Sequence, residues 1–345
     1  MTAALEPTRR AAIEARLAAW GWGGAGIAPL AADASFRRYW RVERNGAGAV
    51  LMDAPSDKED LRPFVAIARH LSAHRFSAPA ILACAESAGL VLLEDLGDRK
   101  FTSLLAAGHD PLELYGAAVD LLVALRHAPL PEKLLPYDEN RLLAEVRLLI
   151  DWYLPAVTGR PTAETTAAAF IEAWRRTLAP VALVHDTLVL RDYHADNLMW
   201  LAERAGSARV GLLDFQDAVA GHPAYDLVSL LEDARRDVAP ALAERMIARY
   251  LGASGDDPVG FRDAYAILGA QRNTKIVGIF TRLFRRDHKP AYLDLIPRVF
   301  AYLERDLAHP ALAPVAVWYE GAVPPALRRQ RPDGRGAYNA AGATP

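Results

Sequence analysis

Three polar side chains interrupt two apolar runs in the middle of the chain. Asp192 and Asn197 lie five positions apart within LVLRDYHADNLMWL, and Asp214 ends the apolar run VGLLD. One carboxylate can take the proton of an attacking hydroxyl, while an amide oxygen and a second carboxylate are hard ligands of the kind that Mg²⁺ prefers. This set suits phosphoryl transfer from ATP. Either Asp alone is better explained as a cap of a strand or turn, but their order and their apolar flanks together favour a kinase site.

The elements around these residues should bring Asn197 and Asp214 to one end of a hairpin. The runs 197–201 and 209–214 flank the turn-like ERAGSA and show a hairpin pattern. Before Gly97 the sequence is rich in short strand-like runs with one inserted helix, and beyond it the periodicity is mostly helical. The sequence therefore predicts an α+β fold. Its expected parts are a small β-rich N-terminal lobe over 1–95, a larger helical lobe over 96–322 and an extended tail over 323–345.

Composition excludes several classes of protein. The 345 residues carry a formal net charge of −2 without a basic stripe, which argues against a nucleic-acid partner. Cys84 is the only cysteine, so an internal disulfide is impossible. The N-terminus lacks the apolar core of a signal peptide, and no apolar run is long enough to span a membrane. We expect a cytoplasmic protein that acts on a small molecule, and the sequence does not indicate its oligomeric state.

The segments LRDYHADN and LLDFQDAVAGHPAYDL resemble the aminoglycoside phosphotransferase family, whose pattern is H-G-D-x-x-x-x-N followed by an I-D-F/W segment and D-P-x-x-D-L. The resemblance implies a bilobal protein-kinase-like fold that uses ATP and Mg²⁺. It places the catalytic base at Asp192 and the metal ligands at Asn197 and Asp214. It also implies that Asp226 braces the catalytic segment.

Two positions near the base need separate interpretation. Leu190 and Arg191 stand where the family has His-Gly, so Arg191 either braces the segment or faces the substrate. His194 matches a second histidine of the family, for which we expect an orienting hydrogen bond.

A narrower resemblance is to the anomeric sugar kinases of peptidoglycan recycling, and it runs from about residue 10 to about residue 310. It rests on DASFRRYWRV, VLMDAP, LLEDLGD, DWYLP and the segment from LRDYHADNLMWL to LLEDARRDV. This likeness implies that the C1 hydroxyl of N-acetylmuramate or N-acetylglucosamine is phosphorylated.

The resemblance also assigns the ATP site. It places the loop 33–37 over the phosphates, including Ser35 and Phe36, although the loop contains no glycine. Met52 stands near the position of the usual phosphate-binding lysine. Arg37, Arg38 or Arg41 is a possible replacement, with Arg37 and Arg41 on one face of the strand and Arg38 on the other; the alternative is that all three are surface strand residues. The predicted hinge that faces adenine is formed by Glu94, Asp95 and Leu96.

The acceptor pocket is expected in the helical lobe. Trp152 and Tyr153 offer aromatic faces for a sugar ring, and Gln271 and Lys275 share one helical face that suits a carboxylate. The alternatives are that Trp152 belongs to the core and that the Lys/Arg face is merely solvated. Cations outnumber acids in the segment 271–288, which argues against aminoglycosides and choline as acceptors.

Three other functions stay open. One is a kinase of the same fold that acts on a different sugar or alcohol, and another is a pseudokinase, which would bind nucleotide without transfer. The missing lysine and the glycine-free loop favour a pseudokinase, whereas the complete Asp-Asn-Asp set argues against it. A protein kinase ranks last because no A-P-E motif follows Asp214.

Overall fold

The computed structural model describes residues 6–30, 37–55 and 57–338. Contacts divide the chain into two compact units. Unit 1 comprises Met1–Leu121 and Asp196–Ala218, and unit 2 comprises Leu122–Ala195 and Val219–Pro345. Unit 1 therefore holds the predicted β-rich segment and also residues 96–121 and 196–218, which the sequence pattern assigned to the helical lobe.

Unit 1 is built on an antiparallel sheet with the strand order β1-β2-β3-β5-β4. Its strands are β1 (Gly26–Pro29), β2 (Arg38–Arg44), β3 (Ala47–Asp53), β4 (Ile81–Ala85) and β5 (Leu90–Glu94). Asn45 and Gly46, both with positive φ, form the two-residue turn between β2 and β3. The sequence pattern did not predict β1, because four residues ending in a proline give little strand signal.

Alternation along β2 separates the two faces of this sheet. Trp40 and Val42 point into a buried cluster with Ile13 and Leu17 of helix α1 (Pro7–Ala19). Tyr39 and Arg41 point to the opposite face, which lines a cavity. The other helices that begin in unit 1 are α2 (Arg62–Ala73), α3 (Phe101–Ala106) and α4 (Pro111–Arg126).

Four short strands follow in the chain, and they form two separate antiparallel pairs. They are β6 (Thr187–Val189), β7 (Leu198–Trp200), β8 (Val210–Leu212) and β9 (Val219–Gly221). In unit 1, β7 pairs with β8, which confirms the predicted hairpin. In unit 2, β6 pairs with β9, a pairing that the sequence pattern did not indicate.

Unit 2 is predominantly helical and is organised around one long helix, α10 (Pro258–Arg285). Helices α5 (Glu139–Leu148), α8 (Ala224–Leu231) and α11 (Ile296–Leu307) pack against it. A π-helical turn, Leu149–Tyr153, follows α5 and also lies against α10. The other helices of unit 2 are α6 (Leu154–Thr158), α7 (Glu164–Leu178), α9 (Pro240–Ser254), α12 (Ala313–Ala322) and α13 (Pro325–Arg328).

The predicted extended tail is packed onto unit 2 as far as the structure describes it. Val323 is buried, and Arg331 forms an ion pair with Asp294 at 3.1 Å. The hydroxyl of Tyr338 donates to the carbonyl of Leu293 at 2.7 Å. The expectation of a loose extension is therefore wrong for residues 323–338. The Arg-, Gly- and Pro-rich composition of this segment gives no sequence signal for these side-chain contacts.

Within the described part of the chain, every helix is too short or too polar to cross a membrane.

Candidate active site

A cavity of about 390 Å³ lies in unit 1 between the free face of the sheet and the β7–β8 hairpin. Its apolar walls include Val50, Leu93 and Met199, and the segment Glu94–Leu96 lines one side. The predicted hinge therefore borders this cavity. A slot with apolar walls suits the flat ring of a nucleotide base.

Ion pairs fix the hinge side of the cavity. Arg41 of β2 donates to Asp95 at 2.6 Å and to Asp98 at 2.8 Å. This bonding to Arg41 lowers the pKa of Asp98. Glu94 forms an ion pair with Arg204 and accepts a hydrogen bond from the backbone N–H of Ala80 at 3.2 Å. Arg41 is therefore engaged with hinge carboxylates rather than left to replace a phosphate-binding lysine.

The other two arginines of this segment differ in position. Arg37 is buried, and its guanidinium lies 3.4 Å from the carboxylate of Asp214. Arg38 is exposed and lies opposite Asp53 in the register of β2 and β3. Met52 is fully buried on β3 opposite Tyr39 and Val91, so it offers no charge to a phosphate.

The predicted phosphate-loop residues Ser35 and Phe36 lie outside the described residues.

The hairpin brings the two predicted metal ligands together. Asn197 precedes β7 and Asp214 follows β8, while Leu198 pairs with Leu212. The backbone N–H of Leu213 donates to the carbonyl of Asn197 at 3.0 Å, and both Asn197 and Asp214 line the cavity. Asp214 has a φ of 57°, a conformation that costs a non-glycine residue about 1 kcal/mol or more and is often found at functional sites. An amide oxygen and a carboxylate on one cavity wall fit a hard divalent cation such as Mg²⁺.

In unit 2, Asp192 follows β6, and the two residues before it are held through their backbone N–H groups. The carboxylate of Asp226, on α8, accepts the N–H of Leu190 at 2.6 Å and that of Arg191 at 2.8 Å. Burial raises the pKa of Asp226 to about 7. Because α8 begins soon after β9, the β6–β9 pair places Asp226 behind the segment that carries Asp192.

The side chain of Asp192 itself remains 47% exposed. Its desolvation favours the neutral acid, but the positive charges of Lys275 and Arg272 outweigh that effect and lower its pKa. The guanidinium of Arg272 lies 3.9 Å from the Asp192 carboxylate. Asp192 is therefore ionised at neutral pH, as a proton acceptor must be.

Most of the predicted acceptor-site residues contact a second carboxylate, that of Glu145 on α5. Arg191 forms an ion pair with it, Lys275 contacts it at 3.0 Å, and Gln271 donates to it at 3.1 Å. The hydroxyl of Tyr137 donates to it as well. Desolvation opposes the charge of Glu145, yet Lys275 and Arg191 lower its pKa.

Glu145 and Arg272 were not among the residues predicted for the site. The sequence signal for Arg272 was its place beside Gln271 in a cationic segment. Glu145 gave no local signal, because its partners Arg191 and Gln271 lie 46 and 126 residues away in the chain, and nothing in the sequence links it to Tyr137, 8 residues before it.

His194 is buried and contacts a guanidinium nitrogen of Arg235 at 3.3 Å. Burial, together with the charge of Arg235, lowers the pKa of His194, so the ring is neutral at neutral pH. Its backbone N–H donates to the carbonyl of Asp192 at 3.1 Å. This arrangement suits an orienting role.

The two predicted aromatic residues lie in the π-helical turn. Tyr153 is fully buried, packs on Phe300 and donates to the carbonyl of Leu327 at 2.9 Å. Trp152 is half-buried. The structure thus places Tyr153 in the helical core, whereas Arg191, Gln271 and Lys275 converge on Glu145.

Comparison with known proteins agrees with this geometry. The pattern of the phosphotransferase enzyme family matches residues 26–262. An N-acetylmuramate/N-acetylglucosamine kinase of Caulobacter vibrioides is 39% identical over 368 aligned positions, which cover 94% of this chain and 99% of that protein. A protein of the same name from Pseudomonas aeruginosa is 38% identical, with 85% and 88% covered.

Among solved structures, the ADP-bound aminoglycoside phosphotransferase APH(2'')-Ib matches with a TM-score of 0.58 at 15% identity, covering 87% of this chain and 97% of that one. This likeness shows the fold, which is the bilobal protein-kinase-like fold predicted from the sequence.

Proposed function

The chain belongs to the phosphotransferase enzyme family, and on this premise we propose that it is an ATP-dependent sugar kinase acting on N-acetylmuramate and N-acetylglucosamine. The hydroxyl that it phosphorylates is the anomeric one, at C1. The relatives from C. vibrioides and P. aeruginosa carry the corresponding name and align over most of their length. Peptidoglycan recycling in the cytoplasm, where ATP is available, is the process that this reaction serves.

The observation that carries the proposal is the placing of Asn197 and Asp214 side by side on the cavity wall by the β7–β8 hairpin. These two residues would hold Mg²⁺, which supplies charge neutralisation for the phosphates of ATP. The hinge segment Glu94–Leu96 borders the base, and Arg37 supports the phosphates in place of the missing lysine.

Asp192 takes the role of the base. It accepts the proton of the C1 hydroxyl as the sugar oxygen forms its bond to the γ-phosphorus and the bond from that phosphorus to the bridging oxygen breaks, which releases ADP. Its ionised state at neutral pH, maintained by Lys275 and Arg272, suits this role. Positioning and charge neutralisation supply most of the catalysis in such a transfer.

The charges near Asp192 support a neutral or anionic acceptor. Three cations, Arg191, Arg272 and Lys275, lie beside the two carboxylates of Asp192 and Glu145, and burial raises the pKa of Asp226 to about 7, so that Asp226 is only partly ionised at neutral pH. A polycationic aminoglycoside would meet repulsion there, whereas the lactyl carboxylate of N-acetylmuramate would be attracted.

The test is ADP release with Mg-ATP over a panel of acceptors: N-acetylmuramate, N-acetylglucosamine, glucose, choline and kanamycin. We expect turnover with the two N-acetyl sugars and a product phosphorylated at C1. Asp192→Asn should lower kcat by about 10³-fold or more while ATP binding persists, since the base acts only in transfer. Tight ATP binding without turnover on the entire panel would instead support the pseudokinase.

A further inference from the structure

The residue before the catalytic Asp adopts a backbone conformation that is unusual for its type. Arg191 has a φ of 72°, in the left-handed region that favours glycine. Such a conformation persists only where the surroundings over-determine it. The contacts of Arg191 are therefore informative about how Asp192 is held.

Two independent anchors fix Arg191. Its backbone N–H donates to Asp226 at 2.8 Å. Its guanidinium forms an ion pair with Glu145 and lies over the ring of Tyr137, with 5.6 Å between the guanidinium carbon and the ring centroid. Both ends of the residue are thus tied to different helices, α8 and α5.

Glu145 is the point at which these contacts meet. Besides Arg191, it holds Lys275 and Gln271 of α10 and the hydroxyl of Tyr137. Tyr137 in turn packs edge-on against Tyr225 of α8, with 5.1 Å between ring centroids. A change in the Glu145 carboxylate would therefore disturb the side chain next to Asp192 together with two side chains of α10.

We propose that Glu145 is a positioning residue for transfer: through the guanidinium of Arg191, it holds the strained backbone that aims Asp192 at the acceptor hydroxyl. This proposal rests on the role assigned to Asp192 above. Glu145 need not touch the substrate; it acts through Arg191. Lys275 shares the Glu145 carboxylate. The double-mutant cycle below distinguishes an effect of Glu145 that runs through Arg191 from one that does not.

The test is a double-mutant cycle with Glu145→Gln, Arg191→Gly and the combination of the two, with N-acetylglucosamine as the neutral acceptor. We expect Glu145→Gln to lower kcat by about 10²-fold, the scale typical of a small misplacement of a reacting group. The KM for ATP should stay within about twofold, because the loss concerns the positioning of Asp192. Arg191→Gly, which accepts the left-handed backbone, should lower kcat by about 10-fold.

The combined variant should be at least about 10-fold faster than Glu145→Gln, since it removes the buried guanidinium left without its carboxylate. If the two single effects multiply instead, Glu145 does not act through Arg191. An unchanged kcat in Glu145→Gln would also overturn the proposal. Should that variant fail to fold, full activity of the folded Arg191→Gly variant would overturn it equally.

Two further variants separate this proposal from the assignment of Asp192. Asp256→Asn breaks an ion pair of similar burial, Arg126–Asp256 at 3.0 Å, and should leave kcat unchanged. Asp192→Asn measures the role of the base. Normal turnover in Asp192→Asn means that the role assigned to Asp192 has failed, and absent turnover of both N-acetyl sugars by the unaltered protein means that the proposed function has failed. A dead Asp192→Asn beside a fully active Glu145→Gln means that only the positioning inference has failed.

Discussion

We propose above that Arg37 compensates for Met52, which is apolar and buried where the family resemblance implies a lysine. Its guanidinium lies 3.4 Å from Asp214, and the same carboxylate also accepts the side-chain amide of Gln216 at 2.9 Å. We predict that Arg37→Ala raises the KM for ATP by about 10-fold and lowers kcat, because a charge-assisted contact to phosphate is lost. Steady-state kinetics with varied ATP measures this change.

Arg38 provides the matched control. It is the first residue of β2, directly after Arg37, and its side chain is exposed, so Arg38→Ala should change neither constant. Equal effects of the two substitutions, or none from either, would contradict the role given to Arg37.

A buried acid pair in unit 2 predicts how stability depends on pH. Asn273 donates to Glu232 at 2.7 Å and to Asp306 at 3.0 Å, and Arg305 contacts Glu232 at 3.2 Å. Burial raises the pKa of both acids, and Asp306 stands well above its usual range because the charge of Glu232 opposes its ionisation. Tyr265 also faces this pair of acids and forms a side-chain hydrogen bond with Glu232.

Because the pKa of each acid is raised in the folded protein, the protonated pair stabilises the fold. This contribution is complete below the ordinary carboxyl pKa and is lost as pH rises through the folded-state pKa. We predict that Asp306→Asn, which mimics the protonated acid, flattens the fall in Tm over the pH range above the ordinary carboxyl pKa. Thermal denaturation across that range is the measurement, with the exposed Glu320→Gln as control. A wild-type slope in Asp306→Asn would show that Asp306 does not titrate in this range.

At this scale, the residues found from the sequence are those whose chemistry is encoded locally. Asp192 and Asn197 share one short segment, and Asp214 follows one hairpin later. Their order, spacing and apolar flanks were therefore sufficient to predict them as site residues. Glu145 acts through partners from three other parts of the chain, and no local pattern records such a meeting. Tyr153 was given a sugar-binding role because of its type, whereas its hydroxyl is used by the packed C-terminal segment.

At the scale of elements, the close approach of α10 to the end of α5 depends on Gly278. A Cβ at this position would lie 2.4 Å from the carbonyl carbon of Leu148 and 2.6 Å from its oxygen. Both are backbone atoms at the start of the π-helical turn, so they cannot rotate away. The face of α10 that carries Gln271 and Lys275 is thereby seated against α5, which carries Glu145.

We predict that Gly278→Ala destabilises the protein by about 1–3 kcal/mol, the usual cost of overpacking. Chemical denaturation measures the free energy of unfolding. Gly252 in α9 is the control, since a Cβ there meets no atom within 4 Å, and Gly252→Ala should stabilise by about 0.5–1 kcal/mol. A neutral Gly278→Ala would mean that α5 and α10 can separate without cost.

Elements with a strong periodic pattern were predictable, and those that depend on distant pairing were not. The short strands before Gly97, the helix inserted among them and the β7–β8 hairpin follow from alternation, helical spacing and turn residues. The three-residue strands β6 and β9 are too short for any periodicity, and they exist because each pairs with the other across about 30 intervening positions. That pair nevertheless holds the catalytic segment.

At the scale of the whole molecule, a nearly neutral protein carries a locally positive acceptor site. The net charge of −2 over 345 residues gives no hint of this, because the cations around Asp192 are offset by acids elsewhere. Such a local field acts on a charged ligand and leaves a neutral one unaffected, and mobile ions screen it. The two proposed acceptors differ in this respect, since N-acetylmuramate has a lactyl carboxylate that N-acetylglucosamine lacks.

We therefore predict that raising the salt concentration from about 50 mM to about 500 mM increases the KM for N-acetylmuramate about 3-fold or more, while the KM for N-acetylglucosamine changes less than about twofold. The neutral sugar is the control for general effects of salt on the enzyme and on Mg-ATP. Lys275→Met should remove much of the salt sensitivity towards the anionic sugar, because it deletes one of the cations beside Asp192. Parallel salt curves for the two sugars would place the lactyl carboxylate away from these cations and would leave the acceptor preference to shape alone.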